Sequence, residues 1–287
     1  MTIMETSSRE ATDAASAATT AAAAAGVEIR ILAGVDEFAQ VAELFRGIWA
    51  GKGDRSPVNV ETLRALSKAG SYVGGAFEGE VLVGACFGFF AAPERRSLHS
   101  HIAGVSPRMR GRSVGFALKV HQRAWALEQG LDEIAWTFDP LISRNAYFNL
   151  VKLAATPTGY HRNFYGHMGD ELNGADDTDR MLVTWRLHDP AVSAACRGAF
   201  AASTSMPTEP LLTGDDGIGP TRHETSARLV SVALPRDIES LRRTNPDLAT
   251  RWRLALRETL GDLMEDGARV LSFDRSGAYT IDRGEVQ

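Results

Sequence analysis

The residues best placed to do chemistry lie between Ser97 and Ala126, in the runs SLHSHIAGV, SPRMRGRSVG and FALKVHQRAWA. The first reads as a strand, the second as a tight turn and the third as an amphipathic helix. A strand feeding a glycine-containing turn at a helix N-terminus aims several backbone N–H groups at one point. The helix dipole adds to their pull on an anion. Arg108, Arg110 and Arg112 bring side-chain charge to the turn, Ser113 stands where it would cap the helix, and Gly115 lets a ligand approach the backbone. The segment therefore reads as a phosphate cradle, against the competing reading of an ordinary strand-to-helix turn with solvated arginines. His99 and His101, two apart on the strand, share one face. They are either a hydrogen-bonded pair on a partly buried surface or groups that exchange protons near neutrality. A metal site is less well supported, since the spacing offers no third ligand.

Several elements must hold these residues. Residues 27–32 (VEIRIL) alternate apolar and polar side chains, the pattern of a half-buried strand. Residues 36–49 place Phe38, Val41, Ala42, Leu44, Phe45 and Ile48 on a helical stripe, which residues 51–57 (GKGDRSP) break. Asn59 is placed to cap a shorter helix carrying Leu63 and Leu66, and Gly70 to close it. Residues 72–77 and 81–90 form two apolar strands around Glu78-Gly79-Glu80, and residues 98–105 add a third strand to the meander. A helix over 116–127 ended by Gly130, a strand over 133–138, a helix over 144–153 and a strand over 181–187 complete this part. A meander running into βαβα implies an α/β (α+β) domain with a mixed sheet and helices on its faces. A doubly wound dinucleotide fold is excluded, because no G-x-G-x-x-G follows the first strand.

This domain is expected to span residues 27–205. Residues 206–226, rich in Pro, Gly, Thr and Asp, predict a linker, and residues 227–287 a small C-terminal α/β extension. In the extension a strand over 228–234 leads to a short helix begun by Pro235. A longer helix carries Leu248, Trp252, Leu256, Leu260 and Met264 on one face, and two short strands over 270–273 and 278–281 end the chain. Residues 1–26, rich in Ala, Thr and Ser, lack the basic start and leucine-rich core of a secretory signal and read as a disordered leader without an amphipathic face.

The 287 residues are enough for a sizeable core, and 44% hydrophobic with 23% charged residues is ordinary for a soluble globular protein. A net charge of −5 argues against a nucleic-acid partner, and no apolar run approaches a membrane span. Cys86 and Cys196 have neither metal nor redox spacing, so reduced structural thiols in a cytoplasmic protein are expected.

VSPRMRGRSVGFAL resembles motif A of the GNAT acyltransferase superfamily, in which an (Arg/Gln)-x-x-Gly-x-(Gly/Ala) loop grips the pyrophosphate of coenzyme A. The match is Arg110-x-x-Ser113-x-Gly115, with Ser113 in place of the usual glycine. A frame two residues later, Arg112-x-x-Gly115-x-Ala117, matches literally but starts the helix too late. SLHSHIAGVSPRMRGRS, WTFDPLISRNAYFNLVKLAA, YHRNFYG and DTDRMLVTWRL together resemble one branch of predicted GNAT acyltransferases, over roughly residues 27–190.

That resemblance implies a GNAT-like, largely antiparallel mixed sheet and an N-acyltransferase that uses acetyl-CoA or another acyl-CoA such as succinyl-CoA. A small-molecule amine, of the amino-acid kind, would attack the thioester directly. A tailoring enzyme acting on a larger natural product and a CoA-binding module without catalysis are the alternatives; no metal is expected, and a homodimer is allowed. Cofactor contacts fall to Ile102, Ala103, Gly104 and Val105, one N–H of which would serve the oxyanion, to Arg110, Gly111, Arg112, Ser113, Val114 and Gly115, and to Asn145. His101 or His99 would accept the amine proton. The family's acid is a tyrosine whose place here is taken by Leu150, so Tyr147, Tyr165 or Tyr160 would have to substitute. Asp139, Asn149 and Arg180 are the candidate acceptor contacts.

Overall fold

The structure, a computed structural model, describes residues 3–49, 56–166, 176–200 and 206–284. The chain runs α1 (Ile3–Ala25), β1 (Glu28–Ile31), α2 (Val35–Trp49), α3 (Val60–Lys68), β2 (Val73–Glu78), β3 (Val81–Phe90), β4 (Ser97–Val105), α4 (Val114–Glu128) and β5 (Glu133–Phe138). It continues through α5 (Ser143–Tyr147), β6 (Thr156–His161), β7 (Arg180–Arg186) and α6 (Pro190–Cys196). The remainder is β8 (Glu209–Asp215), β9 (Gly219–Arg222), β10 (Leu229–Ala233), α7 (Ile238–Thr244), α8 (Pro246–Leu256), α9 (Asp262–Glu265), β11 (Arg269–Phe273) and β12 (Ala278–Asp282). Two compact units result, Met1–Trp136 with Trp185–Ala199, and Thr137–Thr184 with Phe200–Gln287, the boundaries falling inside β5 and β7.

In the first unit β1, β2, β3 and β4 pair antiparallel in that order, and β5 joins β4 in parallel. The sheet is mixed and largely antiparallel, as expected. Side-chain alternation gives it two apolar faces. On one, Val73, Phe77, Ala85 and Phe87 form a buried cluster with Phe38, Val41 and Phe45 of α2 and Leu63 of α3. On the other, α4 lies so close that a Cβ at Gly84 would come within 3.1 Å of Leu118 and 3.2 Å of Val114. The Asn59 side chain accepts from Thr62 N at 2.8 Å and caps α3. The expected break over 51–57 lies outside the described residues as far as residue 55.

The leader, expected to be disordered, is helix α1 packed along α4. Ala14, Ala17, Ala18 and Ala25 are buried, and Glu10 reaches Arg123 at 3.5 Å and His188 at 2.6 Å. Alanine is the strongest helix former, and a stripe of alanines is itself a packing face when a neighbouring helix can come close. A search for large apolar side chains misses it.

The second unit holds the antiparallel pair β6–β7 and a five-stranded sheet in the order β11-β12-β10-β8-β9, with β10 and β8 parallel. The expected linker is therefore a hairpin. Asp215 Oδ1 accepts the N–H groups of Gly217 and Ile218 between β8 and β9, so the Gly, Pro and Asp content is turn chemistry. Residues 137–184 form one compact unit with the C-terminal part, in place of the expected division at 206–226. Pro235 does not begin a helix: α7 starts at Ile238, capped by Asp237, and it is α8 that opens on a proline, Pro246. The helix expected over 144–153 is α5 followed by one π turn, Phe148–Lys152.

Candidate functional site

β4 is the element on which the first unit's candidate residues converge. Its pairing with β5 covers Ser97–Glu133, Leu98–Ile134 and His99–Ala135. On the other side, Gly88 pairs with Ser100 and Phe87 with Ile102, so His101 is the extra residue of a β-bulge. The bulge presses β4 onto Gly88, where a Cβ would come within 2.7 Å of the His99 carbonyl oxygen. The His99 and His101 ring centroids lie 5.8 Å apart; both stack on Phe89, at 5.1 and 5.7 Å, and His101 also meets Phe87 at 5.5 Å. Burial pushes both imidazoles below the usual histidine value, and for His99 the neighbouring His101 adds to the effect. Both are therefore neutral, proton-accepting rings at pH 7.

Beyond His101, Ala103 is exposed, and the Trp49 ring lies over buried Gly104, where a Cβ would meet it at 2.7 Å. The chain then makes a short 3-10 turn over Pro107–Met109 and enters α4. Gly111 (φ 79°) and Ser113 (φ 60°, ψ 21°) both take left-handed backbone. Glycine adopts this conformation without steric cost, whereas the Cβ of Ser113 is crowded in it. Ser113 precedes α4 without a side-chain capping bond, contrary to the capping role expected of it. The first intrahelical bond runs from Ala117 N to Ser113 O at 3.0 Å. Val114 and Gly115 N–H groups thus point out of the helix N-terminus, where an anion is favoured. A Cβ on Gly115 would meet only ordinary contact, Val105 Cγ2 at 3.7 Å, which also shows that the end of β4 and the start of α4 adjoin.

The three arginines of the turn are not equivalent. Arg112 pairs with Glu78 at 2.5 Å and Arg108 with the same carboxylate at 3.5 Å. The Arg112 hydrogen bond, above all, holds the Glu78 carboxyl below the usual range. Among the described residues Arg110 is exposed and has no ion-pair partner, so it is the turn's cation open to a ligand.

Sequence reasoning missed a cation on the other face of β4. Lys119 of α4 is buried; its Nζ donates to Ser100 Oγ at 3.0 Å and Gln122 Oε1 at 2.8 Å and stands 3.7 Å from the Trp136 ring centroid. Gln122 Nε2 in turn donates to Cys86 Sγ at 3.4 Å. Burial pushes Lys119 down to about 8. The one available signal was a lysine flanked by Leu118 and Val120 in a helix that α1 and the sheet enclose from both sides.

The other candidates belong to the second unit. Asp139 is buried: Oδ1 accepts from Leu141 N at 3.0 Å, and Oδ2 receives Arg242 at 2.6 Å and Arg253 at 2.9 Å. Burial alone would push its carboxyl up, but Arg253 and Arg242 outweigh this and hold it below the carboxylate range. Its acceptor capacity is used by the fold, which corrects the expectation of an acceptor contact. Arg180 is buried too, donates to the Asp179 carbonyl at 2.9 Å and lies 5.3 Å from the Tyr165 ring. Tyr160 donates to Asp179 at 2.7 Å in a buried setting, so its hydroxyl is a tether. Tyr147 accepts from Arg275 Nε at 3.3 Å, and the Tyr165 hydroxyl lies 3.3 Å from Thr137 Oγ1. Asn145 is half-buried on α5, and Asn149 is buried in the π turn.

Among the described residues no group of three or more His, Cys, Asp or Glu side chains could hold a metal ion, and no helix is long and apolar enough to cross a membrane. No family model matches the sequence, and no curated protein is significantly similar to it. The chain is similar in structure to the ribosomal-protein-S5-alanine acetyltransferase from Vibrio fischeri, at 16% identity over 57% of this chain and 94% of that one (TM-score 0.46). It is similar to a GNAT superfamily phosphinothricin acetyltransferase from Sinorhizobium meliloti solved with AcCoA, at 14% identity over 55% and 87% (TM-score 0.46). An acetyltransferase of the GNAT family from Streptococcus pneumoniae shares 15% identity over 55% and 97% (TM-score 0.46). These acetyltransferases, two of them described as GNAT, are what the chain is similar to.

Proposed function

We propose that the chain is a GNAT-type N-acyltransferase that moves an acetyl or other short acyl group, such as succinyl, from coenzyme A to the amino group of an amino acid or similar small metabolite. The observation that carries this reading is the junction of β4 and α4. There a left-handed turn at Gly111 and Ser113 opens a helix N-terminus beside Val105, with Arg110 exposed nearby and a neutral His101 on the bulge of the same strand. The N–H groups of Ser113, Val114 and Gly115, with Arg110, would hold the donor's pyrophosphate. Ile102 to Val105 would lie along its pantetheine arm.

The acyl-CoA supplies an activated carbonyl carbon and a thiolate leaving group. His101, or His99 beside it, accepts the proton that the attacking amine gives up, directly or through one water. The amine nitrogen forms the amide bond, the carbon–sulfur bond breaks, and the thiolate takes a proton from the imidazolium, or from a tyrosine acid, and leaves as CoA thiol. From the sequence, Tyr147 or Tyr165 is proposed as the acid, Asn145 as a further cofactor contact, and Asn149 and Arg180 as acceptor contacts.

The test is mass spectrometry of products from an amine panel incubated with acetyl-CoA and succinyl-CoA in parallel. Amine-dependent CoA release with a mass gain of the acyl group is the expected result. CoA binding without turnover of any amine would refute catalysis.

A further inference from the structure

A cleft of the first unit, with a volume of about 760 Å³, is not used by the donor loop. That is the size of a small-molecule site. Val58, Val60 and Leu66 line it from α3 and the residues before it, Phe87 and Phe89 from β3, and His101 stands among them. The imidazole is held by the same rings: His101 meets Phe87 at 5.5 Å and 67°, and Phe89 at 5.7 Å. A molecule that hands a proton to His101 from the cleft must lay the rest of its body against these apolar walls. Glu61, exposed on the first turn of α3, is the acidic side chain among the described lining residues.

We propose that this cleft seats the body of the acceptor and selects amines bearing an aromatic or branched hydrocarbon group close to the reacting nitrogen. The inference rests on the reading of His101 as the proton acceptor. Hydrocarbon entering the cleft leaves water and is favoured in proportion to the area covered. An acidic side chain entering it would lose hydration among Phe87, Phe89 and Val58 and face the like charge of Glu61. A protonated amine, by contrast, is drawn to the mouth by Glu61 before it loses its proton.

The test uses the full chain with saturating acyl-CoA and measures CoA release with alanine, leucine, phenylalanine and glutamate in both enantiomers, and with ethylamine against 2-phenylethylamine. In the preferred enantiomer kcat/KM is expected to rise roughly tenfold or more from alanine to phenylalanine, carried mainly by KM, with glutamate poorest. Phe89→Ala should reduce the phenylalanine-to-alanine ratio of kcat/KM about tenfold through KM. Glu61→Gln should narrow the gap to glutamate. Retained CoA affinity certifies that each variant folds. If Phe89→Ala does not fold, Phe89→Leu replaces it and the wild-type series decides. Alanine or glutamate used as well as phenylalanine, or a Phe89 variant that slows every acceptor equally, would overturn the proposal and leave the enzyme reading standing. No turnover with any amine would sink both.

Discussion

Gly115→Leu separates a ligand-binding glycine from a structural one, because the two roles predict opposite signs. Gly115 is the second residue of α4, and a Cβ there would meet Val105 Cγ2 at 3.7 Å, an ordinary contact. The fold by itself therefore does not require glycine. Leucine, nearly alanine's equal as a helix former, favours folding over glycine inside a helix by up to about 1 kcal/mol, and in the first turn we take roughly half of that. For a protein of this size the gain corresponds to about 1–2 °C in Tm. Its branched side chain, larger than an alanine methyl, stands where a phosphate would approach the N–H groups of Val114 and Gly115. Pushing the anion away removes one charge-assisted hydrogen bond or more, about 1.5–3 kcal/mol each. Kd for CoA should then rise roughly 10- to 100-fold. Thermal unfolding followed by circular dichroism reads the first effect, and titration calorimetry with CoA the second. Unchanged Kd in a variant of raised Tm would refute the cradle. A lowered Tm would refute the claim that the fold leaves the position open.

Ser113→Gly should stabilise the protein by about 1 kcal/mol in urea unfolding, by relieving the left-handed serine, while Ser113→Ala, which keeps a Cβ, should not. Lys119, pushed by burial from 10.5 to about 8, makes the unfolded chain bind more protons than the folded one between those pH values, so its contribution to stability rises with pH across that window. Relative to Lys119→Met, the wild type should gain up to about 3 kcal/mol from pH 8 to 10.5. Taking the difference removes the opposing fall from the buried thiols and Tyr72, and a flat or falling difference would refute the assignment. His101 and His99 lie below the usual histidine value, so the acid limb of kcat/KM should fall below pH ~6.5 and disappear or move in His101→Ala. A limb above pH 7, or one unaltered by the substitution, would rule out the base role.

Local sequence was enough wherever short-range physics decides. The meander from β2 to β4, the Asn59 cap and the turn into α4 follow from alternation, capping chemistry and glycine placement over a few residues. The same short range made the Ser97–Ala126 segment legible as a strand, a tight turn and a helix. Three kinds of feature were not legible. Helix α1 depends on α4 as a partner for its alanines, and the β8–β9 hairpin depends on β10 to turn a Pro/Gly-rich stretch into sheet. Charges were misjudged because their partners are distant in sequence: Asp139 meets Arg242 and Arg253, and Arg112 meets Glu78.

The Arg110-x-x-Ser113-x-Gly115 run by itself determined that a tight turn would open a helix and that its backbone could face an anion, since both follow from residue type and spacing. Tertiary structure alone decided which arginine stays open to a ligand, that Ser113 sits in glycine's conformation, and that a bulge on β4 sets His101 against Phe87 and Phe89. Those outcomes depend on which side chains and strands meet across the sheet, and sequence spacing carries no record of that.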